Sequence, residues 1–175
     1  SVVNSGITDD YKQAVCEYFW NGFDAGASEL KLDYSVNGLG AITSLKISDN
    51  GKGIDRKTLK VTFGAFLNSQ KRRSFQRTSD LRGKKGKGRF SFKAFCSKAT
   101  WTTRYVNIAG NLMQYSISID VDDLSDFDVT PERKVEGKNY NTGTEVSFQN
   151  IENLFEENFS DKQFCTFLFQ QYAWF

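Results

Sequence analysis

The 175-residue chain contains no histidine. That absence removes every His-based general base, every Ser-His-Asp or Cys-His arrangement and every His-containing metal site. Its chemistry must therefore use carboxylates, amides, Lys, Arg or a bound metal. Proline is nearly missing as well, one residue against sixteen Phe, and this composition excludes a disordered or Pro-rich segment. The three cysteines, Cys16, Cys96 and Cys165, are too few and too dispersed for a four-Cys zinc site. Their odd number reads as buried core thiols in a reducing compartment. No apolar run approaches the ~20 residues needed to cross a bilayer, and no signal-peptide pattern opens the chain. A cytoplasmic protein without a membrane partner is expected. A start at Ser1 without Met and an end at Trp174-Phe175 without a polar tail point to a domain excised from a longer chain.

Charge of one sign is scarce only in total. Twenty-three basic and 21 acidic residues sum to +2, yet the stretch 71–89 holds nine basic residues and a single acid, Asp80. That segment carries +8 and leaves −6 for the rest.

Periodicity predicts the elements. A helix runs from an N-cap at Thr8 to about Ala27, with Asp9 and Asp10 in its first turn, Ala14, Val15, Tyr18, Phe19 and Phe23 at helical spacing, and Gly26 ending it. Leu30, Leu32 and Tyr34 alternate with polar residues, Gly38 and Gly40 turn the chain, and Ile42, Leu45 and Ile47 make the returning strand. A short helix over 55–66 precedes an aperiodic loop over 68–87, a length that in a compact domain marks a lid, a binding loop or disorder. A helix over 89–96, paired strands over 99–108 and 112–119, an acidic irregular connection over 120–141, a last strand over 144–148 and a last helix over 162–174 complete the pattern. The expected class is α+β, a two-layer sandwich with helices on one face of a mixed, largely antiparallel sheet.

Four constellations stand out. Glu17, Asn21 and Asp24 fall within a sector roughly 60° wide on the first helix. They form either a solvated polar face or a carboxylate and amide set beside a hydrated Mg²⁺ with its phosphate oxygens. Gly22 in the same helix costs about 1 kcal/mol relative to Ala unless something approaches closely there. Asp49-Asn50-Gly51-Lys52-Gly53-Ile54, at a strand end, is a turn or a surface on which a flat base lies, with Asp49 accepting from an amino group such as that of adenine. Gly83-Lys84-Lys85-Gly86-Lys87-Gly88-Arg89 before a helix is a flexible basic linker or a phosphate site. It matches neither the Walker loop nor the dinucleotide fingerprint. Asn141-Thr142-Gly143-Thr144 is a turn whose hydroxyls matter only if the chain brings it near Asp49.

Together, in this order, the four resemble the GHKL ATPases, the superfamily of the heat-shock chaperones of ninety kilodaltons, MutL, type II topoisomerase ATPase subunits, MORC proteins and sensor histidine kinases. Glu17-x-x-x-Asn21-x-x-Asp24-Ala25 resembles the N-box and Asp49 to Ile54 the first glycine box. Gly83-x-x-Gly86-x-Gly88 with Phe90 and Ala94-Phe95 is similar to the chaperones' second glycine box, and Gly143-Thr144 to the final Gly-Thr. The Gly-Phe-Arg-Gly-Glu-Ala-Leu string of MutL is not present, nor is a phospho-acceptor His.

The resemblance implies a Bergerat fold spanning residues 1–175, with ATP and Mg²⁺ as ligands. Glu17 would be the general base that activates water, Asn21 the Mg²⁺ ligand and Asp49 the acceptor for the adenine amine. Thr144 would support that contact through its hydroxyl and a water. Ala25, Gly53 and Ile54 would line the base pocket, Gly51 would be a further nucleotide-binding residue, and Gly86, Lys87 and Gly88 would wrap the phosphates under a lid over about 68–88. Slow ATP hydrolysis would drive lid closure and association of a larger protein, including a nucleotide-dependent homodimer. The alternatives are a nucleic-acid module binding DNA or RNA through the basic segment 71–89, and a degenerate ATPase scaffold.

Overall fold

In a computed structural model that describes residues 10–59, 88–137, 140–160 and 162–172, the first element is helix α1, Tyr11–Asp24. Asp10, rather than the expected Thr8, is the described N-cap; its carboxylate accepts from the Lys12 N–H at 2.8 Å. Thr8 and Asp9 lie outside the described residues. Gly26, at φ +75°, follows the C-cap Ala25, in keeping with a glycine stop. Ala14, Val15, Cys16, Tyr18 and Gly22 form the buried stripe, while Phe23 stays 41% exposed.

Among the described residues seven strands follow: β1 (Leu30–Val36), β2 (Ile42–Asp49), β3 (Cys96–Val106), β4 (Leu112–Asp120), β5 (Asp123–Val129), β6 (Arg133–Lys134) and β7 (Gly143–Ile151). The connection over 120–141 is therefore not irregular throughout. β5 pairs with β4 through Ile117 and Val129, and β6 pairs with β4 through Met113 and Lys134. The Asp-rich composition hid a strand because β5 ends the strand order, and there Asp123 and Asp128 are exposed.

The expected helix over 55–66 is a 3-10 turn at Arg56–Thr58, capped by Asp55; residues 60–66 lie outside the described residues. The segment expected as a helix over 89–96 is a 3-10 helix, Gly88–Ala94. Two short helices, α2 (Glu157–Ser160) and α3 (Lys162–Tyr172), end the described chain.

Strand order is β1-β2-β7-β3-β4-β5, with β6 beside β4, and every described pairing is antiparallel. The last strand thus lies between β2 and β3. Along β3, Ala99, Trp101, Thr103 and Tyr105 face inward while Thr100 and Thr102 meet Ser118 and Ser116 on the other face at 3.0 and 3.1 Å. This alternation gives the sheet one apolar and one polar side.

Helix α1 lies on the apolar side, where Tyr18 contacts Phe148 at 5.0 Å and Trp101 at 6.4 Å between ring centroids. The Tyr18 hydroxyl donates to the Arg89 carbonyl at 2.9 Å, which ties the 3-10 helix to α1. Phe90 and Phe92 of that helix are buried in the same core. Tyr11, Phe159 and Phe164 join α1 to α2 and α3 through edge and stacked contacts at 5.2–6.4 Å. The result is the α+β, two-layer arrangement expected from the sequence. Cys16 and Cys96 are buried, and burial pushes the Cys96 thiol up to about 12, so it is inert. Cys165 departs from the core expectation, because α3 turns it to solvent.

Candidate nucleotide site

The site begins with the register of the sheet. Asp49 on β2 faces Thr144 on β7, Thr144 faces Thr103 on β3, and Thr103 faces Tyr115 on β4. Directly opposed residues share a sheet face, so these four form one row on the core side, across four strands. It is the central placement of β7 that brings Thr144 to Asp49.

The glycine-rich loop after β2 folds over this row and is bonded to it at three points. Gly51 N–H donates to Asp49 Oδ1 at 2.8 Å, Ile54 N–H donates to Thr103 Oγ1 at 2.9 Å, and the Tyr115 hydroxyl donates to the Ile54 carbonyl at 3.0 Å. Gly53 takes φ +71°, and a Cβ there would lie 2.0 Å from the Arg104 carbonyl oxygen. Only glycine admits both the left-handed backbone and that approach. Lys52 N–H bonds the Ala25 carbonyl at 3.0 Å and so docks the loop on the end of α1. The close approach expected at Gly22 also exists, but the approaching groups are protein: Leu30 Cδ2 and the Asp49 Cβ would meet its Cβ at 2.4 and 3.1 Å. Gly22 lets the helix settle against the strand that carries Asp49.

A cleft of about 520 Å³ opens between α1, this loop and the sheet. Asn21, Asp24 and Ala25 come from the helix, Asp49, Gly53 and Ile54 from β2 and its loop, and Thr144 from β7. Of the residues expected at a base and metal site, the structure therefore gathers Asn21, Ala25, Asp49, Gly53, Ile54 and Thr144, with Gly51 held against Ala25 and Asp49. Asp24, expected on the same helix face, also reaches the cleft. Burial raises the Asp49 pKa, and the N–H groups of Gly51 and Thr144 pull it partway back by stabilising the anion.

Glu17 does not line this cleft. It stands two turns before Asp24 on α1, and a Cβ at Gly88 would lie 2.1 Å from its Oε2. The bare backbone of Gly88 is what admits the carboxylate. Glu17 keeps an exposed side chain, yet the protein around its carboxyl raises its pKa by desolvation. From Ala25, beside the loop, to Glu17, beside Gly88, the helix rises about 12 Å. Gly86 and Lys87, and the segment 68–87 expected to form a lid, lie outside the described residues.

Several residues of the site were not assigned from sequence. Lys52 and Arg89 line the cleft from inside two recognised motifs, and burial lowers the Arg89 pKa. Tyr18, Trp101, Ile47 and Val146 supply its apolar walls. Thr103, wholly buried, carries the hydrogen bond that holds Ile54. Its one visible signal was a hydroxyl residue at an inward position between Trp101 and Tyr105. Among the described residues no group of three or more His, Cys, Asp or Glu is placed to hold a metal. An ion held by Asn21 would take most of its ligands from phosphate and water, the mode that suits Mg²⁺.

No curated protein matches the chain. A family model described as histidine kinase-, DNA gyrase B- and HSP90-like ATPase matches residues 9–152, the span that contains α1, the whole sheet, Asp49 and its loop, and Thr144. The chain belongs to this ATPase family, whose members bind ATP.

Proposed function

We propose that the domain binds Mg-ATP in the cleft and hydrolyses it slowly, and that the bound nucleotide governs closure of the segment 68–88 and association within a larger protein. The observation that carries this reading is the Asp49 carboxylate, half-buried at the cleft wall beside Thr144 and anchored by the Gly51 N–H. A fixed acceptor beside the apolar walls of the cleft suits an exocyclic amine, and the cleft volume of about 520 Å³ lies within the ~300–1,000 Å³ of ligand pockets.

In this reading Ala25, Gly51, Gly53 and Ile54 flank the base, and Thr144 supports the Asp49 contact through its hydroxyl and a water. The axis of α1 leads from the base end at Ala25, past Asn21, to Glu17 and Gly88, a span that an extended nucleoside triphosphate bridges. Asn21 offers an amide oxygen to Mg²⁺, which when bound neutralises the phosphate charge, and Gly86, Lys87 and Gly88 wrap the phosphates. Glu17 accepts the proton of the attacking water. Its desolvated carboxyl is a stronger base than an ordinary Glu, and phosphoryl transfer otherwise needs chiefly positioning and charge stabilisation.

The test is thermal unfolding with Mg-ATP, ADP and a nonhydrolysable analogue. Ligand at 100 times its Kd stabilises the fold by about 2.7 kcal/mol, which for this size raises Tm by about 5–11 °C. No shift with any of the three defeats the proposal. Glu17→Ala is expected to keep the shift and lose about 10²- to 10⁴-fold in turnover; loss of both would remove Glu17 from the role of base.

A further inference from the structure

We propose that Thr103 is the positioning residue that makes Asp49 and Thr144 a base-discriminating pair, an inference that rests on the ATP reading above. Thr103 is fully buried and does not line the cleft, so it acts through its neighbours. Its hydroxyl has one proton and two lone pairs. The Ile54 N–H occupies one lone pair at 2.9 Å. Two acceptors stand within reach of the proton: Thr144 Oγ1 at 3.1 Å and the Gly143 carbonyl at 3.4 Å. The nearer is Thr144.

With the Thr103 proton directed there, the proton of Thr144 turns away from Thr103 toward the cleft, where Thr144 stands beside Asp49. The pair then presents an acceptor, the Asp49 carboxylate, next to a donor, the Thr144 hydroxyl, which delivers its proton directly or through a water. That order complements a purine edge carrying an amine beside a ring nitrogen acceptor, as in adenine. It opposes the reversed order of guanine, a carbonyl beside a ring N–H. A buried site that reads hydrogen bonds rejects the wrong pattern because its own groups are left unpaired. The same hydroxyl holds Ile54, so loop position and hydroxyl direction are set by one buried atom.

The experiment measures Mg-ATP and Mg-GTP affinity for the wild type, Thr103→Ser, Thr103→Val and Thr144→Val, with the unliganded melting temperature of each. The wild type and Thr103→Ser are expected to prefer ATP equally. Thr103→Val is expected to lose about tenfold of that preference, since the hydrogen bond that directs the Thr144 proton is removed, along with the one from the Ile54 N–H. In the double variant Thr103→Val/Thr144→Val, no further loss of preference is expected, because both changes act on one hydroxyl. If Thr103→Val does not fold, Thr103→Ala, which leaves room for a water at the Ile54 N–H, takes its place with the same expectation.

A merely structural Thr103 would weaken ATP and GTP alike and leave their ratio unchanged; that result, or additive losses in the double variant, overturns the inference. A wild type that binds both nucleotides equally overturns it as well. A wild type that binds neither instead defeats the ATP reading itself.

Discussion

Asp49 is where the proposed nucleotide contact and the stability of the fold oppose each other. Burial raises its pKa, so the folded chain holds the Asp49 proton more tightly than the unfolded chain does. The stability contributed by that protonation is complete below the ordinary carboxyl value of 3.8 and is lost as pH rises through the raised folded value. At neutral pH the unliganded domain therefore carries a desolvated carboxylate that only partial hydrogen bonding relieves. Asp49→Asn keeps an acceptor for the Gly51 N–H and removes the charge. It is expected to raise the unliganded Tm at pH 7, to lose that advantage below pH 3.8, and to weaken ATP binding by about 10- to 100-fold. Calorimetry at the two pH values, with titration of ATP at pH 7, checks all three. Glu17 shifts in the same direction by desolvation, so the acid limb of turnover is expected above the ordinary Glu value of 4.5. At this scale motifs in the sequence named Asp49, Asn21, Ala25 and Thr144, which line one cleft, and Glu17, which stands outside it beside Gly88. Thr103 was not named, because a lone Thr in a strand carries no pattern until its register with Thr144 is known.

Among the elements, the loop between β2 and the Arg56–Thr58 turn depends most on single atoms. It is short, has no internal regular structure, and is held by bonds to Asp49, Thr103 and Tyr115 and by Lys52 N–H to Ala25. Gly53→Ala puts a Cβ into the Arg104 carbonyl at a left-handed φ of +71°. The expected cost is about 2–4 kcal/mol, from backbone strain and overlap together. Since the loop forms a cleft wall, ATP affinity should fall with stability, and urea denaturation with and without ATP separates the two losses. An unchanged unfolding midpoint would contradict the geometry. Element type was readable wherever a period was strong, as in α1 and the hairpins β1-β2 and β3-β4. It failed at β5, whose acidic residues resemble a connection, while at Gly88–Ala94 the expected helix is present as a tight 3-10 path. There Ser91 bonds both the Gly88 carbonyl at 2.6 Å and the Ala14 carbonyl at 3.3 Å. Contact with α1, rather than local propensity, shapes that segment.

For the whole molecule, the central feature is β7, the last strand in sequence and an inner strand in space. Phe148 on β7 meets Tyr18 of α1 and Phe95 beside β3, each at 5.0 Å between centroids. It therefore joins the helix layer, the 3-10 segment and the sheet at one point. Phe148→Ala is expected to cost about 3–5 kcal/mol and, by loosening α1 from the strand carrying Asp49, to reduce ATP binding even where the chain remains folded. Denaturation and nucleotide titration on the same preparation measure both. The near-zero net charge likewise conceals a division, +8 in 71–89 and −6 elsewhere. The sequence by itself determined the chemistry available: without His it is confined to carboxylates, amides, Lys, Arg or a bound metal, and the spacing of Glu17, Asn21 and Asp24 places them on one helix face whatever surrounds that helix. Local periodicity likewise settled most elements, since 3.6- and 2-residue patterns are properties of short segments. Only the tertiary structure decided that Thr144 stands beside Asp49, that Gly22 serves packing against Leu30 and Asp49, and that Thr103 completes the row. Those relations join residues up to about a hundred positions apart, and they exist because β7 inserts between β2 and β3, a pairing that no local pattern encodes.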